Sequence, residues 1–175
     1  MNANDLVLTS KGLRFRGRVY PCVVGKGGLS SDKREGDGAT PVGAHRIVEM
    51  HYRPDRMARP NLWATPIHFG DLWSDDADRA EYNLPVRAPY AGSHEVMRRA
   101  DPMYDLVLVT DWNYPVAEAG RGSCIFMHQW RRPGFPTAGC VALRRDHLHQ
   151  IAARLLPGDR LVVPLLASGP RHHPH

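Results

Sequence analysis

One cysteine and one histidine are the residues of this chain with the clearest chemical potential. Cys140 lies in the segment TAGCVAL at 137–143, and His128 lies twelve positions earlier in FMHQW at 126–130. A cysteine thiol becomes a nucleophile as its thiolate, and a nearby imidazole can take up the proton. The two residues can therefore be a nucleophile and its base, two ligands of a metal ion, or unrelated residues of a core.

A metal site would need Cys124 as a third ligand beside His128 and Cys140. Cys124 and His128 lie at even spacing in one predicted strand, SCIFMHQW at 123–130, so both side chains are expected on the same face. At about 3.3 Å per residue they would be about 13 Å apart, whereas zinc binds its ligands at about 2.0–2.3 Å. The pattern therefore favours a site without a metal.

A nucleophile requires a base on a rigid element, a sulfur on a turn, and N–H groups beside that sulfur. His128 is near the end of its predicted strand, and the segment 131–139 supplies the turn, whose two prolines restrict it. Gly139 allows close approach to a substrate, and its N–H and that of Cys140 are candidate donors to an oxyanion. No side chain stands out as orienting His128, and a backbone carbonyl could do so. Spacing alone does not separate this interpretation from that of an inert, buried cysteine.

The elements that must position these residues are predicted to be mostly strands. Alternating, β-branched and aromatic residues indicate strands at 6–9, 13–25, 44–52, 104–112, 123–130 and 160–166. In the second of these, Leu13, Phe15 and Val19 are expected on the buried face. One helix is predicted at 145–156, where apolar residues share one face before a Pro-Gly pair. The expected fold class is mainly β with one late helix.

Two irregular segments lie between these strands. The segment 25–43 is rich in Gly, Ser and Asp and is too long for a hairpin turn, and ordered loops of this length are usually functional. The proline-rich segment 53–103 is interpreted as an elaborated loop region over the sheet. We therefore expect a single domain over residues 1–168 and a polar tail at 169–175.

The composition of the chain limits the binding partners and the cellular location that can be expected for the protein. The net charge of +5 comes mostly from arginines scattered along the chain, whereas nucleic-acid-binding domains usually show a dense basic stripe, so no nucleic-acid partner is expected. The odd number of cysteines favours a reducing compartment. No stretch reaches the roughly 20 apolar residues of a membrane span, and the N-terminus shows no signal-peptide pattern. The expected location is the cytoplasm, or the periplasm if a signal has been removed.

The order of several segments resembles the YkuD-type L,D-transpeptidase catalytic domain family. That family carries a histidine at the end of a strand and a loop ending in Ser/Thr-x-Gly-Cys, which His128, Thr137, Gly139 and Cys140 match. The segment 36–47 is similar to the family's Thr-Pro-x-Gly segment. The segments similar to one compact branch of the family are YN at 82–83, SHEVM at 93–97, DPMYD at 101–105, DWN at 111–113 and GRGSCIFMH at 120–128.

The resemblance implies an L,D-transpeptidase-like β-sandwich that acts on peptidoglycan stem tetrapeptides. Cys140 would attack the bond between meso-diaminopimelate and D-alanine, with His128 as base and the Gly139 and Cys140 N–H groups as oxyanion hole. D-alanine would leave, and the thioester would pass to water or to an amine. No metal or organic cofactor would be needed.

The chain departs from the family pattern beside the nucleophile. Ala138 stands where many members have histidine, and Ala142 where many have arginine. These changes bear on how the substrate carboxylate is held. Arginines near the site are candidates for holding it, although these arginines can equally be surface charges. The residues expected to contact substrate are Thr137, Trp130, Arg131, Arg121 and Glu95, the last through an ammonium group.

In the cytoplasm the abundant acceptor is water. The expected function is therefore an L,D-carboxypeptidase that trims stem peptides or muropeptides during wall recycling. The alternatives are an exported L,D-transpeptidase that forms cross-links and a non-catalytic module that binds wall peptides. No stable membrane insertion is expected, and the sequence carries no signal for an oligomeric state.

Overall fold

The computed structural model describes residues 2–165, so the predicted tail at 169–175 lies outside the described residues. This part of the chain is mainly β with one α-helix, as predicted, and a 3-10 turn at Pro102–Tyr104. The helix is α1 (Arg145–Ala152). The strands are β1 (Leu6–Thr9), β2 (Gly12–Phe15), β3 (Arg18–Tyr20), β4 (Cys22–Val23), β5 (Leu29–Ser30), β6 (Thr40–Pro41), β7 (Gly43–Tyr52), β8 (Thr65–Pro66), β9 (Asp71–Ser74), β10 (Pro85–Arg87), β11 (His94–Val96), β12 (Leu106–Thr110), β13 (Phe126–Gln129), β14 (Val141–Leu143) and β15 (Arg160–Val163).

Ten strands form one sheet that nearly closes on itself. Its order is β3-β2-β1-β15-β7-β12-β13-β14-β4, with β8 paired to β7 beside this path. The end strands β3 and β4 are separated in sequence only by Pro21. Because strands in a sheet twist in one direction, the long sheet curls until its two ends come together around a core.

The segment 13–25 was wrongly predicted as one strand, because the chain reverses within it. β2 and β3 pair antiparallel, with Phe15 opposite Arg18. Arg16 and Gly17 form the turn with φ of 47° and 78°, and a two-residue type I′ hairpin turn requires positive φ at both positions. Beyond this turn the alternation changes face, which leaves Val19 47% exposed.

The segment 53–103 contains more regular structure than the predicted loop region. β9 pairs with β10 on one side and β11 on the other, forming a three-stranded antiparallel sheet. These strands are only three or four residues long, so their periodicity is too short to be seen among the prolines. The small sheet packs on the large one through Trp73, whose ring centroid is 5.1 Å from that of Phe126.

The central strands of the large sheet are buried on both faces. In β12, Leu106 and Leu108 belong to a first core with α1, whereas Val107 and Val109 belong to a second core with Trp73. Side chains alternate along a strand, so the run LVLVT can be buried throughout only because separate layers cover its two faces. Phe126 of β13 lies in the second core. The side chain of His128, two residues later, is therefore directed to the same side of the sheet.

The helix is shorter than predicted, because α1 ends at Ala152 and not at residue 156. The following residues form turns, with the N–H of Arg154 bonded to Ile151 O, and Pro157 disfavours helical backbone at the residue before it. Leu148 and Ile151 are fully buried, as the periodicity predicted. No helix within residues 2–165 combines the length and the apolar character that a bilayer-crossing segment requires.

Trp73 should contribute strongly to stability because it fills the second core. It is 1% exposed, and its Nε1 donates to Asn83 Oδ1 at 3.0 Å. Trp73→Phe removes this hydrogen bond and some volume, and we expect the free energy of unfolding in urea to fall by about 2–3 kcal/mol. Phe69→Ala, at a residue that is 85% exposed, should change it by less than about 0.5 kcal/mol. Equal effects of the two substitutions would contradict the second core.

Candidate active site

Parallel pairing of β13 with β14 brings His128 and Cys140 to one face of the sheet. His128 lies opposite Ala142, and Cys140 precedes Ala142 by two residues, so the two side chains project to the same side. The N–H of Phe126 lies 3.4 Å from Cys140 Sγ. His128 is 3% and Cys140 8% exposed, and both line a cleft of about 410 Å³ at the edge of the second core.

The Cys140 thiol is held as a neutral group. Its Sγ–H donates to the carbonyl oxygen of Cys124 at 3.0 Å, while the N–H of Phe126 donates to the sulfur. Burial raises the pKa of Cys140 to about 12, because a buried thiolate loses its hydration. At neutral pH the free protein therefore carries a protonated thiol.

His128 is oriented by a main-chain carbonyl. Its Nδ1 lies 2.8 Å from Gln129 O, and a carbonyl can only accept, so Nδ1 carries the hydrogen and Nε2 keeps its lone pair. The imidazole also packs edge-on against Tyr104, with ring centroids 5.4 Å apart. Burial, together with a smaller effect of the positive charge of Arg99, lowers the pKa of His128 to about 4. At neutral pH the ring is therefore a neutral base.

The resting pair is thus a thiol and an imidazole, not a thiolate and an imidazolium. A thiol in this state must lose its proton as it attacks, and His128 is a neutral base on the same face of the sheet. In the resting site the Cys124 carbonyl accepts the thiol hydrogen. Such an arrangement suits general-base activation of a nucleophile.

Two threonines fix the turn that carries the nucleophile. Thr137 Oγ1 donates to Cys140 O at 2.6 Å and accepts the N–H of Gly139 at 3.1 Å. From the other side, Thr40 Oγ1 donates to Gly139 O at 2.7 Å and accepts the N–H of Gly25 at 2.9 Å. Each of these two hydroxyls both donates and accepts a hydrogen bond. Together they hold the backbone at Gly139 and Cys140, and this backbone positions the sulfur.

Gly139 is required in this turn for conformational and steric reasons. Its φ is +147°, and a Cβ at this position would lie 2.9 Å from Ala39 O. Its N–H is already bonded to Thr137, so the predicted pair of oxyanion donors is not free in the resting site. Among the loop and side-chain hydrogen bonds of the turn at residues 137–140, none is donated by the Cys140 N–H. The Cys140 N–H is therefore the remaining candidate oxyanion donor beside the sulfur.

Cys124 does not lie in one strand with His128, so the prediction of a single strand over 123–130 was wrong at this end. β13 begins at Phe126, and Cys124 lies before it with a left-handed φ of 55°. This backbone turn, held by the bond from the Cys124 N–H to Asn83 Oδ1 at 3.0 Å, directs the Cys124 carbonyl to the nucleophile. Among residues 2–165 no three His, Cys, Asp or Glu side chains are grouped so that they could hold a metal ion.

The structure brings four of the five predicted substrate-contacting residues into the cleft. Glu95, Trp130, Arg131 and Thr137 line it together with the catalytic candidates. Arg121 does not: its guanidinium lies 5.2 Å from the centroid of the Trp112 ring and pairs with Glu118 at 3.2 Å. Arg121 therefore fits the alternative interpretation of a surface charge.

Several residues of the site were not identified from the sequence. Lys33, whose side chain is only 3% exposed, lines the cleft and donates to Asp37 at 2.6 Å. Thr40, Asn83 and Tyr104 lie in segments recognised as family-like, but nothing local distinguishes them from their neighbours. Their roles depend on contacts with residues distant in sequence, such as the bond of Thr40 to Gly139.

A family model described as the YkuD L,D-transpeptidase catalytic domain matches residues 5–163. The match covers most of the chain, and the chain belongs to this family. No curated protein matches the sequence. Membership in the family defines a cysteine acyl transferase of the L,D-transpeptidase type that acts on peptidoglycan peptides, and the chemistry of His128 and Cys140 agrees with that class.

The buried imidazole should make stability depend on pH. The pKa of His128 is about 4 in the folded protein against 6.5 ordinarily, so the unfolded chain takes up the proton first as the pH falls. The resulting loss of stability begins below about pH 6.5 and reaches about 3 kcal/mol near pH 4. We expect wild type to lose about this much more than His128→Gln between pH 7 and 4 in urea denaturation. Parallel pH curves for the two proteins would contradict a neutral, buried His128.

Proposed function

We propose that the protein is an L,D-carboxypeptidase that cleaves the meso-diaminopimelate–D-alanine bond of peptidoglycan stem tetrapeptides. The observation that carries the proposal is the shared position of a neutral Cys140 thiol and a neutral His128 base in one cleft of a YkuD domain. Both groups are in the protonation state that general-base attack on an amide requires.

The geometry supports a sequence of four steps. Cys140 Sγ attacks the carbonyl carbon while its proton passes to His128 Nε2, and the Cys140 N–H stabilises the oxyanion. His128 then gives the proton to the nitrogen of D-alanine, which leaves as the thioester forms. Water attacks the thioester after transferring a proton to His128. The tripeptide is released as the proton returns to the sulfur.

Lys26 and Arg131 line the cleft and are available for substrate carboxylates, because neither forms an ion pair with a carboxylate among the described residues. The other two cations of the cleft are already engaged: Arg99 is bound to Asp101, and Lys33 is bound to Asp37. Substrate carboxylates therefore have two positive groups to bind in place of the arginine that many relatives carry after the cysteine.

The size of the cleft supports water as the acceptor. Its volume of about 410 Å³ is near the lower end of small-molecule pockets, about 300–1,000 Å³, which suits one stem peptide. Departure of D-alanine leaves a small space that water can enter at once. We further propose a cytoplasmic location in wall recycling, supported by Cys22, Cys124 and Cys140 being free thiols as in a reducing compartment.

Product analysis tests this function. Incubated with a diaminopimelate-containing disaccharide tetrapeptide, the protein should release D-alanine and a tripeptide, detected by mass spectrometry. Cys140→Ala should lower the rate by at least about 10³-fold, while Cys22→Ala, remote from the cleft, should leave it unchanged.

A second muropeptide in the reaction distinguishes the alternatives. Tripeptide without dimer supports the carboxypeptidase, and a dimer would indicate a transpeptidase. If the folded protein binds the tetrapeptide without forming either product, it is a binding module and the proposal fails.

A further inference from the structure

The carboxylates that line the cleft differ in their partners. Glu35 accepts hydrogen bonds from Tyr82 and from Ser123, which lies 2.8 Å from it. Its charge is therefore used to hold two segments of the cleft wall together. Asp75 and Glu95 also line the cleft but are not engaged in this way.

Asp75 is an unpaired carboxylate. Its Oδ1 is buried and has no hydrogen-bond partner, and no cation within residues 2–165 forms an ion pair with it. A buried carboxylate oxygen without a partner is costly. The backbone of Asp75 is held in the small sheet region by the bond from its N–H to Ser93 O at 3.2 Å. Such a group indicates a ligand that supplies the missing donor.

Glu95 lies on the same face and is nearly as poor in partners. In the ladder between β9 and β11 it is opposite Trp73, and Asp75 follows Trp73 by two residues, so both carboxylates project to the same side. The nearest cation, Arg99, is 3.7 Å from Glu95 and is bound more closely, at 2.7 Å, to Asp101. Burial and the charge of Asp75 raise the pKa of Glu95. The two carboxylates therefore repel each other.

Glu95 is also within electrostatic reach of Cys140, because its negative charge contributes, after burial, to the raised pKa of that thiol. No third His, Cys, Asp or Glu in residues 2–165 completes a metal site with Asp75 and Glu95. Two carboxylates without further ligands suit a primary ammonium, which offers three donors and one positive charge.

We propose that Asp75 and Glu95 form a subsite for the side-chain ammonium of the substrate's diaminopimelate. The inference rests on the proposed function and adds a selectivity to it. Acylation of this amine, as in a stem peptide that has accepted a cross-link, removes the charge and adds bulk. The enzyme therefore selects stem peptides whose side-chain amine is free and excludes those already cross-linked through it.

Two substrates test the subsite: a disaccharide tetrapeptide with a free diaminopimelate amine, and the same molecule acetylated on that amine. Wild type should prefer the free amine by at least about tenfold in kcat/KM. In the double variant Asp75→Asn, Glu95→Gln this ratio should fall to about 1–3, because the KM for the free-amine peptide rises more than the KM for the acetylated peptide. Glu118→Gln, whose carboxylate pairs with Arg121 outside the cleft, should keep the wild-type ratio.

Binding measurements separate this inference from the proposed function. Calorimetric titration of Cys140→Ala with the two peptides, with and without the double substitution, measures the preference for the free amine as a ratio of dissociation constants, with no turnover. Preference for the free amine that disappears in the double variant supports the subsite even if wild type cleaves neither peptide. Equal binding of both peptides, or a preference that survives the double substitution, overturns it even if cleavage is confirmed.

Discussion

The parallel pairing of β13 with β14 is the constraint on which the site depends. Neighbouring parallel strands must be joined by a long connection, and here the segment 130–140 returns the chain so that Cys140 begins the strand beside His128. The connection is tied to the strand on its far side, because the Thr137 N–H bonds to Val24 O at 3.0 Å and the Lys26 N–H to Thr137 O at 2.8 Å. His128 and Cys140 are thus placed by the sheet register and by the hydrogen bonds that hold the connection between their strands.

Burial sets the chemistry of this pair. The small sheet of β9, β10 and β11 covers one face of β12 and β13 and creates the second core, and the cleft opens where this cover ends. Removing His128 and Cys140 from water keeps both neutral, and Gln129 O holds the imidazole in one tautomer. The proposed reaction therefore starts from a thiol and a neutral imidazole, not from an ion pair. The same small sheet and the residue that follows β9 bring Glu95 and Asp75 to the cleft that Cys140 lines. The layer that stabilises the fold therefore also carries the proposed ammonium subsite.

Much of this could be predicted from the sequence, because it is local. The late helix and the long strand β7 follow from short patterns. The order of motifs identified the family and, through it, His128 and Cys140 as candidates, which spacing alone did not. Other features could not be predicted, because they depend on contacts between distant residues. The reversal at Arg16–Gly17, the left-handed Cys124 and the bond between Thr40 and Gly139 have no periodic signature. The strands of the small sheet are too short to show one, and Arg121 could be separated from Arg131 only in three dimensions.

The most direct test of the central claim is the mass of the protein itself during turnover. Wild-type protein mixed with the disaccharide tetrapeptide and quenched in acid within the first turnover should gain the mass of the substrate less one alanine. Peptide mapping should place this thioester on Cys140, and Cys140→Ser should show no thioester. Turnover without an adduct in such rapidly quenched samples, or an adduct on Cys22 or Cys124, would contradict the account.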